Sequence, residues 1–150
     1  MGIKIISRNK RASYDYHLEN KYEAGMVLTG TEVKSLRNGK VSINEAHIII
    51  DDKGEVWAHN ISIPLYEFGN INNHEETRKR KLLLSKKQIV EISEEMSTKR
   101  LTLIPISIYF KESIVKLEIA LAKGKKLHDK REDSAKKDVE RKIKRGLFED

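Results

Sequence analysis

Between Ile104 and Leu121 the chain alternates apolar with other side chains twice over, and that alternation restricts the fold more than any other feature. Ile104, Ile106, Ile108 and Phe110 recur every second residue, Lys111-Glu112-Ser113 break the pattern, and Val115, Leu117, Ile119 and Leu121 resume it. A period of two gathers one set of side chains on one face of a strand, so the segment predicts an antiparallel hairpin with a single buried face. A second hairpin is expected where Asp51-Asp52-Lys53-Gly54 joins 46–50 to 55–59. Tyr14, Tyr16 and Leu18 suggest an earlier strand. Strand is therefore the major element.

Two helices interrupt it. Ser85-Lys86-Lys87-Gln88 fits a capping box with Leu84 and Ile89 as its hydrophobic staple. Ile89, Ile92 and Met96 follow at helical spacing, which predicts a helix over Lys86–Met96. A shorter helix is expected to begin near Thr31, bury Val33 and Leu36, and stop at Asn38-Gly39. Short strands punctuated by one or two helices suit a mainly β fold. The leading form is an oligonucleotide-binding-like antiparallel β-barrel with flanking α-helices; a two-layer α+β sheet is the alternative.

Charge divides the chain. Its 150 residues carry 30 Lys and Arg against 23 Asp and Glu, a net +7, and an excess of this sign attracts polyanions. Residues 123–150 hold 11 basic and seven acidic side chains, so more than half of the net charge lies in the last 28 residues. This predicts a barrel domain over 1–122 and a basic tail over 123–150. In the tail, Ala135, Val139, Ile143 and Leu147 fall every fourth residue beside Lys137, Arg141 and Arg145. A lone helix of this length is marginal in water, so the tail is expected to be loose when free and helical when a partner holds it.

Several function classes recede. No cysteine is present, which excludes disulfides, thiolate zinc sites and a cysteine nucleophile. No apolar run approaches the roughly 20 residues that span a bilayer. His74-Glu75-Glu76 lacks the H-E-x-x-H spacing, because position 78 is Arg, and no phosphate loop or nucleophile elbow occurs. The expectation is a cytoplasmic monomer that is not an enzyme, with no cofactor, metal or membrane partner. A metal-dependent nuclease is the strongest enzyme alternative.

Five segments together are recognisable: Asn9-Lys10-Arg11-Ala12; Tyr22-Glu23-Ala24-Gly25; Leu28 through Lys40; Arg80-Lys81-Leu82-Leu83-Leu84; and Ala122 through Arg131. In this order and spacing they resemble the SsrA-binding protein family, also called small protein B, from about Asn9 to Arg145. The resemblance implies a barrel that grips the tRNA-like domain of transfer-messenger RNA. It also implies delivery to stalled ribosomes for trans-translation, with the tail entering the empty mRNA channel at the decoding centre.

Specific residues carry that expectation. Asn9 and Arg11, read as lying ahead of the first strand, offer an amide and a guanidinium to a sugar-phosphate backbone. Glu23 is unusual on a basic surface, and the resemblance makes it an RNA contact, since a carboxylate accepts hydrogen bonds from base amino groups. Gly25 reads as a turn residue with positive φ. Lys34 and Arg37 share a face of the shorter helix. Arg80 and Lys81 belong to Arg78–Lys81, the densest basic cluster of the domain and a natural phosphate contact. Leu83 reads equally as core or as RNA contact. Alternation turns Lys116 away from the interior. Lys123, Lys125 and Lys126 open the basic tail.

For the decoding centre and ribosome, the resemblance implies His128, Asp129, Lys130 and Arg131, with Lys137, Arg141 and Arg145 beyond them. Without it, most of these would read as solvated charges. A generic single-strand binder on the same barrel is the remaining alternative. It is disfavoured because the nine aromatics are few and Trp57, Tyr109 and Phe110 fall where strands pack.

Overall fold

The computed structural model describes residues 2–66, 68 and 73–125. In chain order its elements are β1 (Ile3–Arg8), α1 (Ala12–Asp15), β2 (Tyr16–Met26), α2 (Gly30–Arg37) and β3 (His47–Ile50). They continue with β4 (Val56–His59), β5 (Arg80–Leu83), α3 (Lys86–Lys99), β6 (Thr102–Lys111) and β7 (Ile114–Gly124). Every strand pairing among the described residues is antiparallel. The neighbour order β6-β3-β4-β5-β2-β7 returns to β6, so six strands close a barrel and β1 lies outside the ring against β6. A mainly β architecture is therefore observed. A two-layer open sheet is excluded, because the sheet closes on itself.

The hairpin expected from alternation is β6–β7, joined by Glu112 and Ser113 with φ of 51° and 70°. Its face is not single. Pairing between β6 and β7 shifts register between Pro105 and Ser107, so Ile106 is an inserted residue. An inserted residue exchanges the two faces of a strand. Leu103 before it and Ile108 and Phe110 after it meet the main core. Ile104 and Ile106 pack on the other side, with Ala12, Tyr16, Leu18 and Ala122. The bulge also gives β6 three neighbours. Its first half bonds β3 at Leu103–Ile48, and its second half bonds β1 from Ser107 to Lys111.

On β7, Val115, Leu117, Ile119 and Leu121 all enter the core as the pattern requires. The second hairpin forms as β3–β4. Asp51 closes it, its Oδ1 accepting from the Lys53 and Glu55 N–H groups and its Oδ2 from Trp57 Nε1. The earlier strand begins at Tyr16, since Tyr14 lies in α1.

α3 carries the expected capping box at Ser85 and Gln88. It runs three residues past Met96 and ends with Arg100 in the left-handed region at φ 54°. α2 begins one residue earlier than expected and is capped by Thr29. Thr29 Oγ1 accepts from the Glu32 N–H, while the Glu32 carboxylate accepts from the Thr29 N–H. It buries Glu32, Ser35 and Leu36, with Val33 only half-buried. β7 continues through Gly124, and the Lys125 N–H donates to the Asp15 carbonyl. Ordered pairing thus extends past the 122/123 boundary read from charge. The expected tail helix lies outside the described residues.

Candidate nucleic-acid interface

Alternation decides what the barrel shows outward. Val115 and Leu117 are buried, so Lys116 stands outward between them. Lys116 is opposite Tyr109 on β6 and Gly25 on β2; Tyr109 is opposite Ile5 on β1, and Gly25 is opposite Leu83 on β5. One row of positions thus crosses five strands. A second row beside it runs Arg8, Ser107, Glu118 and Glu23. Glu23, Leu83 and Lys116, far apart in sequence, therefore share one outer face.

Leu83 is 53% exposed, which removes the core reading of this leucine. It rests over Gly25, where an added Cβ would stand 3.4 Å from Leu83 Cβ. Gly25 does not have positive φ, contrary to the turn expected there. It lies inside β2, and close approach by Leu83 is what favours a residue without a side chain.

Glu23 is held from two sides. Tyr109 Oη donates to Glu23 Oε2 at 2.5 Å, and Lys111 Nζ lies 3.3 Å from Oε1. The Tyr109 hydrogen bond, followed by the hydrogen bond and charge of Lys111 and the charge of Lys116, outweighs desolvation and keeps the Glu23 carboxyl below its usual range. Burial, then the Glu23 bond, pushes the Tyr109 phenol up, so it stays a donor. The result is an ionised carboxylate fixed among cations, able to accept from base N–H groups without setting a net negative potential on the face.

Arg80 is not part of any surface. Its side chain is 0% exposed, and all five guanidinium N–H groups are engaged. Nε donates to Glu32 Oε2, Nη1 to the carbonyls of Ile61 and Arg78, and Nη2 to those of Glu75 and Glu76. Only Arg80 and Lys81 of the basic run lie in β5, yet side chains alternate along all four residues. Arg78 and Arg80 turn to Glu32, while Lys79 lies 4.5 Å over the Trp57 ring and Lys81 pairs with Glu55 at 3.1 Å. The expected RNA contact at Arg80 is therefore corrected to a structural ion pair.

His74 is likewise internal. Its ring nitrogens meet Thr31 Oγ1 at 2.9 Å and the Ile63 carbonyl at 2.8 Å. Among the described residues no group of three or more potential ligands could hold a metal ion.

Comparison with known proteins decides the family. The model of the SmpB protein family matches residues 6–149. The SsrA-binding protein of Pelobacter propionicus is 50% identical, covering 98% of this chain and 96% of its own length. That of Lachnoclostridium phytofermentans is 54% identical over 93% and 90%. The chain belongs to the SmpB protein family. A solved chain from work on tmRNA–SmpB and the centre of the bacterial ribosome is 43% identical, with a TM-score of 0.66 over 81% of this chain and 85% of that one.

In this SmpB-family chain the other expected contacts occupy separate places. Asn9 follows β1 instead of preceding the first strand. Its Nδ2 donates to the Pro105 carbonyl at 3.0 Å and its Oδ1 accepts from the Arg11 N–H, which fixes the end of β1 to β6. Arg11 pairs with Asp15 at 3.1 Å, and the Asp15 carbonyl accepts from the Lys125 N–H. Lys123 is exposed and opposite His17. Lys34 and Arg37 are exposed on α2; Lys34 Nζ lies 5.4 Å from the Tyr66 ring, and Arg37 lines a hollow with Lys4 and Phe110. Lys126, His128, Asp129, Lys130, Arg131, Lys137, Arg141 and Arg145 lie outside the described residues.

Sequence reasoning missed Tyr109 and Lys111, which hold Glu23. The signal was present: Tyr109 is out of phase with Ile108 and Phe110, and therefore faces outward.

Proposed function

We propose that this SmpB-family chain binds the tRNA-like domain of transfer-messenger RNA and delivers it to stalled ribosomes for trans-translation. The observation that carries this reading is the convergence of Glu23, Leu83 and Lys116 on one outer face of a closed barrel, in a chain that matches the family along nearly its whole length. Relatives named SsrA-binding proteins and a solved neighbour described with tmRNA support it. The barrel docks on folded RNA by shape at that face; Asn9, Arg11, Lys34, Arg37, Lys81, Lys123 and Lys125 supply phosphate and sugar contacts from the separate places they occupy.

The basic tail over 123–150 probes the empty mRNA channel and the decoding centre, with His128 through Arg131 meeting ribosomal RNA. The protein acts by contact and not by catalysis, as a monomer, in the cytoplasm where ribosomes work. None of the described helices is long and apolar enough to cross a membrane.

Binding and tagging test the division of labour. Glu23→Ala or Lys116→Ala should weaken binding to a tRNA-like RNA at least tenfold, as a few kcal/mol of lost charge-assisted contact implies. Truncation after Arg131 should leave that affinity within threefold and abolish tagging of stalled peptides. Equal affinity for poly(U) and the folded RNA would replace this reading with a generic single-strand binder. Steady cleavage of labelled RNA in magnesium would replace it with a nuclease.

A further inference from the structure

Beside the face just described runs a groove of about 390 Å³, bounded by β1 on one side and β7 on the other. Ile3 and Ile5, 58% and 43% exposed, form an apolar rim on β1, and Arg8 stands at its end. Ser107 and Tyr109 make the floor, and Glu118 makes the opposite wall.

The register explains this composition. Arg8, Ser107 and Glu118 are consecutive partners across β1, β6 and β7, as are Ile5 and Tyr109 in the adjoining row. The bulge at Ile106 and the register shift between Ile5 and Ser7 open the space between the rows.

Glu118 differs from the carboxylate next to it. Glu23 is engaged by Tyr109 and Lys111, whereas Glu118 has no hydrogen bond or ion pair among the described residues. A half-buried carboxylate with unused acceptors, facing a wall of isoleucine and an aromatic floor, suits a flat ligand with paired N–H donors on its edge.

We propose that this groove is a subsite for a single unstacked guanine base. Among the four RNA bases, guanine alone presents two adjacent donors, N1–H and N2–H, which match the two oxygens of one carboxylate. Uracil, cytosine and adenine each set an acceptor beside their donor, and that acceptor is repelled by Glu118. Ile5 covers one face of the base, Tyr109 closes the floor, and the Arg8 guanidinium meets the phosphate of the same nucleotide. The subsite extends the RNA face toward Asn9, which also lines the groove, and it rests on the reading of that face as an RNA surface.

The test titrates the full ¹⁵N-labelled chain with GMP and, separately, with UMP. Saturable shifts at the Ile5, Arg8, Ser107, Tyr109 and Glu118 amides with GMP, and at least tenfold weaker ones with UMP, are expected. Glu118→Gln should erase the preference for GMP while circular dichroism stays unchanged, and Ile5→Ser should weaken GMP binding severalfold. Equal response to the two nucleotides, no response at these amides, or a preference that survives Glu118→Gln would overturn the subsite. Binding of a tRNA-like RNA to the wild type, measured in parallel, separates the two ideas. Intact RNA binding with no GMP response removes only the guanine subsite. GMP selectivity in a protein that ignores the RNA keeps the subsite and removes the broader reading.

Discussion

Glu32 serves two parts of the fold at once. It caps α2 and joins Arg78 and Arg80 in a buried ion-pair network in which both Glu32 and Arg80 are out of contact with solvent. Removing one member of such a network leaves a buried charge without its partner. Glu32→Gln should cost about 3–5 kcal/mol in urea unfolding. Burial works to raise the Glu32 carboxyl, but the hydrogen bonds of Arg78, the Thr29 N–H and Arg80 prevail and hold it below the usual range. A depressed carboxyl stabilises the fold at pH above its unfolded value, about 4.3, and that stability is lost as pH falls through the folded value. Acid titration of wild type and Glu32→Gln should show the acid-sensitive part of stability shrinking in the variant. Leu83 is the opposite case. Because it is largely exposed, Leu83→Ala should change stability by about 1 kcal/mol or less, against about 2–5 kcal/mol for a core leucine. RNA affinity should nevertheless fall at least fivefold.

Elements that advertise themselves locally were legible; those that depend on a distant partner were not. Ser85 with Gln88, the Asp51–Gly54 turn and the Val115–Leu121 alternation each carry their instruction within a few residues, and each forms where expected. The bulge at Ile106 leaves no mark in composition, because isoleucines continue through it while the faces change. β1 was unreadable for a similar reason: Ile3 and Ile5 face outward, and only β6 explains why they extend. At the site, Lys116 was legible through its buried neighbours. The basic run was misread because cations at Arg78 through Lys81 suggested a patch, whereas Arg78 and Arg80 turn to Glu32 and Arg80 is fully buried. Glu112 and Ser113 offer a test at this scale. Both occupy the left-handed region in a two-residue hairpin turn, which favours Asn-Gly. The double substitution Glu112→Asn with Ser113→Gly should raise stability by about 1–2 kcal/mol, read from the shift in urea midpoint.

Across the whole molecule, the ring of strands is closed by pairings between opposite ends of the chain. Tyr16 meets Gly124, more than a hundred residues away, so the β2–β7 contacts that complete the barrel are among the least local it makes, as is the pairing of Ile3 with Lys111 that lays β1 against it. Such topologies fold slowly, since the entropy of long loops must be overcome first. A fragment ending at Lys111 should lack the sharp cooperative unfolding transition of the full chain and should self-associate on sizing columns. β7, the last strand among the described residues, thus completes the ring. Until Ile114–Gly124 has left the ribosome, β2 and β6 each present an unsatisfied margin, and a copy cut off by a broken message would be a sticky, half-wrapped sheet in place of a working barrel.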